Sequence, residues 1–344
     1  MRRLLIYFAL NPLIVSAANA QTAPVPSAST PVPFAKTEAA PLFEAVTMGS
    51  RTLSRPIDTQ YDPVSEDQKV RAWATQAFWG TTGKPRSIGT DVSGWGVSAG
   101  ADVGSHFGRF GASIAYLNSQ NASDADPQVV SADQYEIAAY WKAKWKNFGA
   151  YARISDAIVH SSGTTPFGVV RANTFDERKS ETKWTGALMS AAGGIGYDKR
   201  VGRLSLRPST SVEYYRLTRG SFGSPGVAAI TIEAPAFASH ELAANVSGSV
   251  GLNFGNPAGE GRWTALEFEL GRREIVGARL ADLLVAPAVG QALIHAAEER
   301  RGGWVGKLRA SSGGANFHFE GQTAAEQRVG RVALSLRAAA YFGF

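Results

Sequence analysis

Apolar and polar residues alternate along most of the chain from about residue 70 onward. In the clearest case, Tyr135, Ile137 and Trp141 share one face of an extended segment, and Glu136 and Lys142 lie on the other. A period of two is typical of a strand whose faces meet different surroundings. The pattern predicts twelve strands, near 70–80, 91–104, 107–118, 130–146, 147–160, 183–199, 203–219, 238–254, 262–273, 302–311, 313–323 and 329–344.

The connections between these segments alternate in length. The mostly long ones are 81–90, 119–129, 161–182, 220–237, 274–301 and 324–328, and the short ones are 105–106, 146–147, 200–202, 255–261 and 311–313. Outer-membrane barrels have short periplasmic turns and longer extracellular loops. A sheet that spans lipid must also close, because hydrocarbon cannot satisfy a free edge. We therefore expect an all-β fold, a 12-stranded antiparallel transmembrane β-barrel of the outer-membrane type over residues 70–344; a soluble β domain is the alternative.

Aromatic residues in these strands are expected to form girdles at the two membrane interfaces. The residues positioned for this role are Trp73, Trp79, Trp95, Tyr116, Tyr135, Trp141, Trp145, Tyr214 and Phe344. One long connection, 279–300, has the apolar spacing of a short amphipathic helix, interrupted or started at Pro287. We expect that helix over or inside the extracellular mouth.

The N-terminus has the features of a secretory signal peptide. Arg2 and Arg3 precede a mostly apolar run over residues 4–15, and Ala18 and Ala20 match the small-x-small cleavage pattern. We expect cleavage after Ala20, with an uncleaved buried helix as the alternative. After residue 20, no stretch of 18 apolar residues suits a transmembrane helix.

Residues 21–69 separate this signal from the first predicted strand. The segment is rich in proline, alanine and serine, and we interpret it as a linker. A short helix over 41–54, around Leu42, Phe43 and Val46, is a candidate for a segment that enters the barrel.

Composition removes several classes of function. The chain has no cysteine, which excludes disulfides, thiolate metal sites and thiol nucleophiles. The formal charge of +6 falls to about +4 without Arg2 and Arg3, and the basic residues are scattered, so nucleic-acid binding is not expected. The histidines lack metal-ligand spacing; they are His106, His160, His240, His295 and His318.

We predict no metal, no cofactor and no enzymatic activity. Two pairs are the candidates for a catalytic site, Asp156 with His160 and His318 with Glu320. Polar lumen or loop roles explain all four residues.

Charged residues of both signs recur on the predicted inward face. They are Glu136, Lys142, Lys144, Arg153, Arg207, Glu213, Glu267, Glu269, Lys307, Arg309, Glu320, Arg331 and Arg337. One interpretation is a polar lumen that grips a threaded segment or sets ion preference. The other is a static network that fills a narrow barrel.

Several strands resemble those of autotransporter translocator domains. The similar segments are 91–102, 110–116 and 131–141 among the early strands, and 263–273 with its Glu267, Glu269, Arg272 and Arg273 among the later ones. The C-terminal Tyr341, Phe342 and Phe344 resemble the barrel-assembly signal, which ends in an aromatic residue. The resemblance covers residues 70–344.

This resemblance implies type V secretion, in which an outer-membrane barrel carries an N-terminal passenger to the cell surface of a Gram-negative bacterium. Export then depends on the Sec pathway and the barrel-assembly machinery, and a helix before the first strand threads the pore. Residues 21–69 are far too few for a β-helical passenger, so we expect a nearly absent one. Self-cleaving members use an asparagine in the pore helix; none lies between 21 and 117, and we expect no such cleavage.

Two other functions remain open from the sequence: a free-standing channel for small solutes, and a structural surface barrel that binds through its extracellular loops. A monomeric barrel surrounded by outer-membrane lipid and lipopolysaccharide is expected in each case.

Overall fold

The protein is a closed antiparallel barrel with one helix among its described residues. The computed structural model describes residues 39–54, 69–82, 91–123, 126–171, 174–220, 222–225, 231–234, 237–255, 261–279, 283–285, 292–294, 302–314, 316–328 and 331–344. The helix is α1 (Ala39–Leu53), where the sequence suggests one over 41–54. The barrel strands are β1 (Val70–Thr82), β2 (Asp91–Ser105), β3 (Gly108–Ser123), β4 (Asp126–Trp145), β5 (Phe148–Arg171), β6 (Thr174–Tyr197), β7 (Leu204–Arg219), β8 (Phe237–Phe254), β9 (Trp263–Arg279), β10 (Gly303–Gly313), β11 (Phe317–Arg328) and β12 (Arg331–Gly343).

Each strand pairs antiparallel with its neighbours in sequence, and the first pairs with the last. The closing seam runs from Arg71 opposite Gly343 to Thr82 opposite Val332. At its end, the Phe344 N–H donates to the carbonyl of Val70 at 2.9 Å. The prediction of a 12-stranded antiparallel barrel is confirmed. One extra short strand, Lys199–Val201, folds back on the start of β7.

Several connections differ from their predicted form, because strands continue into segments predicted as loops. The loops predicted over 119–129 and 324–328 are mostly strand, paired as far as Ser123 opposite Asp126 and Arg328 opposite Arg331. Most of the loop predicted over 161–182 is a continuation of the β5–β6 hairpin, paired as far as Arg171 opposite Thr174. The helix predicted over 279–300 is wrong where the structure describes it, because Leu283–Val285 pairs antiparallel with Ala292–Ile294. Proline disfavours helix in the residue before it, and Pro287 lies between these two apolar runs. A second short pair joins Phe222–Pro225 to Thr231–Ala234.

The two faces of the wall have opposite character. Along β5, exposed Ile154 and Ile158 alternate with buried Arg153 and Ser155. This arrangement, apolar outside and polar inside, is that of a transmembrane barrel. Other exposed outward apolar residues include Phe78, Ile114, Ile137, Val246, Phe268, Leu308 and Leu336.

Outward aromatic residues form belts near both ends of the wall. Near the loop end, Tyr116 lies between Trp95 and Tyr135, with ring centroids 5.6 and 5.2 Å away. Near the turn end, Trp141 lies 6.0 Å from Trp145. The wall between these belts is the apolar band expected to face hydrocarbon.

Two predicted girdle residues are instead in the lumen. Trp73 and Trp79 are only 5% and 4% exposed. Both share the inward face of β1 with Thr75 and Ala77, so the girdle prediction is wrong for these two tryptophans. The alternation in β1 does not show which of its two faces points into the lumen, because both faces carry large apolar residues.

Helix α1 lies inside the barrel, where its residues from Phe43 to Leu53 are almost all buried. Fifteen residues span roughly 22 Å. Thr47 donates to the Phe43 carbonyl at 2.7 Å, and the basic Arg51 in the last turn suits the negative end of the helix dipole. No described helix combines the length and apolarity needed to span a membrane.

Candidate functional site: the occupied lumen

Helix α1 bridges two opposite sides of the barrel wall. Its first half contributes Phe43 and Val46 to an apolar cluster with residues of β4–β7, namely Val130, Ala132, Ala157, Val159, Leu188, Tyr215 and Leu217. The helix also contributes Ala45, Met48 and Leu53 to a cluster with β1–β3 and β12, formed by Ala77, Trp79, Val92, Leu117 and Ala333. The wall partners Trp79, Val92 and Val130 lie in the strand halves away from the short turns. The helix therefore fills the loop-side half of the lumen.

Small residues allow the helix to approach the wall closely. A Cβ added at Gly49 would lie 2.6 Å from a ring carbon of Trp79. A Cβ added at Gly96 would lie 2.6 Å from Leu53 and 2.9 Å from the carbonyl of Tyr116. Such distances are far below van der Waals contact, so any side chain at either position would displace the helix or the wall.

A buried carboxylate on β4 accepts a hydrogen bond from the helix. The Ser50 hydroxyl donates to Glu136 at 2.6 Å, and the Gln134 amide donates to the same carboxylate oxygen at 3.1 Å. The guanidinium of Arg153 lies 3.9 Å from the other oxygen. A buried carboxylate needs such partners, and the helix supplies one of them.

A second polar contact joins the helix to the opposite side of the wall. Arg51 lies 3.3 Å from Glu326 of β11, which is also 4.0 Å from Arg273 of β9. Arg273 contacts Glu241 at 2.6 Å and Glu213 at 3.5 Å. The helix thus adds Arg51 to a cluster of wall residues that contains Glu213, Glu241, Glu326 and Arg273.

The turn-side half of the lumen holds a separate network. Arg71 binds both carboxylate oxygens of Asp102, at 2.9 and 3.0 Å, and Arg109 lies 2.5 Å from the same group. Tyr140 donates to Asp102 at 3.1 Å and accepts from the indole N–H of Trp73 at 2.8 Å. These five side chains tie β1 to β4 across the space below the helix.

The wall from β7 to β12 carries a chain of ion pairs. Glu267 contacts Arg207 and, at 2.6 Å, Arg309; Arg309 in turn lies 3.7 Å from Glu320. Glu320 also pairs with Arg337. Beside them, Lys307 and Glu269 are 2.5 Å apart. Near the turn end, His318 stacks on Tyr341 with ring centroids 4.0 Å apart.

A polar cavity of about 110 Å³ lies against this wall. Its lining includes Ser209, Ser247, Asn245, Glu269 and Lys307. Since one ordered water needs about 10–15 Å³ of space accessible to its centre, the cavity has room for several waters. The lumen is therefore filled by a helix and by cross-linked polar side chains, with a small polar space between them.

The predicted lumen residues have the following positions. Glu136, Lys142, Arg153, Glu213, Glu267, Glu320 and Arg337 are buried in the lumen, and Arg207, Glu269, Lys307 and Arg309 are partly exposed there. Lys144 is exposed at the turn end of β4, and the side chain of Arg331 lies outside the described residues. The cleavage residues Ala18 and Ala20 also lie outside them.

Other residues singled out from the sequence are placed as follows. Tyr341 faces the lumen, whereas Phe342 and Phe344 are exposed. Asp156 and His160 both belong to the outward face of β5. In the described part of the chain, no three His, Asp or Glu side chains are grouped so as to hold a metal ion.

Sequence reasoning missed several charged residues that join the networks, among them Arg71, Asp102, Glu241 and Arg273. A signal was available for two of them. Glu241 is an even number of residues from the inward Ser247 and Ser249, so it lies on the same face of its strand. Arg273 is related in the same way to the predicted Glu267 and Glu269. Extending each inward face to the end of its strand would have found both.

Known structures share this architecture. The translocator domain of the autotransporter NalP from Neisseria meningitidis aligns with a TM-score of 0.66 at 13% identity, covering 90% of this chain and all of that one. The beta domain of the Bordetella autotransporter BrkA gives 0.54 at 12% identity, over 80% of this chain and all of that one. The transport unit of AIDA-I from Escherichia coli gives 0.52 at 14% identity, over 90% and all. These likenesses establish the fold.

Comparison with curated proteins finds no match. The model of one protein family, described as the autotransporter beta-domain, matches residues 72–276, which is more than half of the chain. The chain therefore belongs to the autotransporter beta-domain family and is an outer-membrane barrel of the autotransporter type.

Proposed function

We propose that this barrel anchors the segment N-terminal to α1 at the outer surface of a Gram-negative cell and that α1 closes the lumen after this segment has passed. The observation that carries the proposal is the fit of α1 within the lumen. Phe43 is fully buried among wall residues, and the helix contacts two acids on different sides of the wall. Ser50 contacts the buried Glu136, and Arg51 contacts the partly buried Glu326. A lumen occupied in this way suits an anchor better than an open solute channel.

The proposal includes an orientation. The short connections β2–β3, β4–β5 and β10–β11 face the periplasm, and the ends that bear longer connections face outward, as in other outer-membrane barrels. Residues 1–20 act as the signal for Sec export, and the exposed C-terminal Phe344 is read by the barrel-assembly machinery. Lipid and lipopolysaccharide surround a monomeric barrel that has no catalytic role.

Cysteine labelling on intact cells tests this arrangement, because the chain has no cysteine of its own. Ser29→Cys places a thiol in the segment before α1, and His106→Cys places one in the β2–β3 turn. A membrane-impermeant maleimide should label the first variant on intact cells. It should label the second only after the outer membrane is permeabilised.

Two labelling results would contradict the proposed arrangement. Labelling of His106→Cys on intact cells would reverse the proposed orientation. Protection of Ser29→Cys until permeabilisation, with the barrel folded in the outer membrane, would mean that the N-terminal segment stays in the periplasm and the anchor proposal is wrong.

A further inference from the structure

The turn end of the barrel carries a basic surface on one side. Four exposed cations, Lys146, Lys199, Arg200 and Arg203, lie on the β4–β5 turn and the β6–β7 hairpin, and we name them the basic ridge. Asp198 is the acid among the described residues of these turns. It lies 3.0 Å from Arg207 and 3.6 Å from Arg200.

Backbone hydrogen bonds join the segments that carry the ridge. The Asp198 N–H donates to the carbonyl of Asn147 at 2.7 Å, which ties the hairpin to the β4–β5 turn. The Asn253 N–H donates to the carbonyl of Arg203 at 2.8 Å, which ties the hairpin to the end of β8. Hydrogen bonds therefore connect the β4–β5 turn, the β6–β7 hairpin and the end of β8, and they hold the cations in fixed relative positions.

Exposed apolar side chains surround the same cations. Trp145, Phe148 and Val201 are more than half exposed, and the guanidinium of Arg203 lies 5.8 Å from the centre of the exposed ring of Phe254. Phe148 also packs edge-on against Tyr197 at 5.0 Å. Aromatic residues with adjacent lysine and arginine are typical of the level where acyl chains meet headgroups.

We propose that the basic ridge binds the phosphodiester headgroups of anionic phospholipids in the leaflet at the turn end of the barrel. The apolar side chains enter the acyl region, and the cations lie at the level of the phosphates. Each basic residue near an anionic membrane surface changes affinity by about fivefold. In the cell, the inference rests on the proposed orientation, which places this leaflet on the periplasmic side. The lipid preference itself does not depend on orientation.

Quenching of tryptophan fluorescence by brominated lipids tests the proposal in vesicles. In a Trp95→Phe/Trp304→Phe background of the full chain, the outward-facing tryptophans that remain in the described wall are near the ridge, namely the half-buried Trp141 and the exposed Trp145. Brominated phosphatidylglycerol, in mixtures with phosphatidylcholine, should be preferred over brominated phosphatidylcholine by about fivefold or more. The preference should fall in high salt, because exposed charges are screened.

The decisive comparison uses two triple variants with equal changes in charge. Lys146→Gln/Lys199→Gln/Arg203→Gln should abolish the preference, whereas Lys183→Gln/Arg216→Gln/Arg272→Gln, at the loop end of the wall, should retain it. Equal quenching by both lipids in the parent protein would overturn the proposal. So would an equal loss in both triple variants, because net charge alone would then explain the preference. If Ser29→Cys labels at the cell surface while the lipid preference fails, only the ridge proposal falls.

Discussion

Replacing Phe43 with alanine should open the lumen. The ring is fully buried between α1 and the wall, among residues that include Val159 and Leu217. Truncating a buried phenylalanine to alanine costs about 3–5 kcal/mol. Because these contacts exist only when the helix is docked, most of this cost weakens docking. At about 1.4 kcal/mol per tenfold change, the undocked population should rise by roughly a hundredfold to a few thousandfold.

Single-channel recording in planar bilayers measures this population as the fraction of time spent conducting. Phe268→Ala is the matched control, because Phe268 is 53% exposed on the outward face of β9 and touches lipid instead of the helix. We expect frequent openings with Phe43→Ala and recordings like those of the parent protein with Phe268→Ala. Both variants should be confirmed as folded by their heat-modifiable migration in gels.

Deletion of residues 39–54 provides the limiting case and should give a permanently conducting barrel. If the deletion opens the pore and Phe43→Ala stays closed, the apolar contact is not what holds the helix. If both remain closed, the turn-side network around Asp102 seals the lumen, and assigning closure to α1 is wrong.

Three further predictions concern the barrel wall. Arg273→Met removes a buried cation that contacts Glu213 and Glu241, and it should lower the free energy of unfolding by about 3–5 kcal/mol. The neighbouring exposed Arg272→Ala should cost about 1 kcal/mol or less. Equal losses in urea titrations would contradict the burial argument. Asp156→Leu removes a carboxylate from the outward face between two isoleucines and should stabilise the barrel in lipid by roughly 1 kcal/mol. Asp133→Leu should do the opposite, because Asp133 accepts hydrogen bonds from Tyr116 and Asn118; stabilisation by both changes would refute this distinction. Phe344→Ala should lower the yield of folded barrel in the outer membrane, measured by gel migration, and an unchanged yield would argue against its role in assembly.

The strands and their closure could be predicted because they depend on local pattern. In a segment such as 134–145, the alternation of apolar and polar residues identifies a strand without further information. Because a strand edge exposed to lipid would leave backbone groups without hydrogen bonds, the sheet is then expected to close into a barrel. The pattern is less informative where both faces of a strand are apolar. Trp73 and Trp79 alternate with residues that include Phe78, and the period alone does not tell which face meets the helix.

The partners within the lumen could be predicted only as a class. An inward carboxylate such as Asp102 is visible from strand parity, but its ligands are not, since Arg71 and Tyr140 come from strands on either side of it and are distant in sequence. Ion pairs that cross the lumen depend on barrel curvature and strand register. Neither property is encoded in any single segment.

The position of α1 is likewise a joint property of the helix and the wall. In the loop-side cluster, the wall residues Glu213, Glu241 and Glu326 lie around Arg273. A carboxylate removed from water is costly unless it is paired, and Arg51 of the helix lies against Glu326. The same holds on the other side, where Ser50 donates to Glu136. The wall therefore carries buried acids that the docked helix helps to satisfy, which is why a helix of weak sequence signal has a defined place inside the barrel.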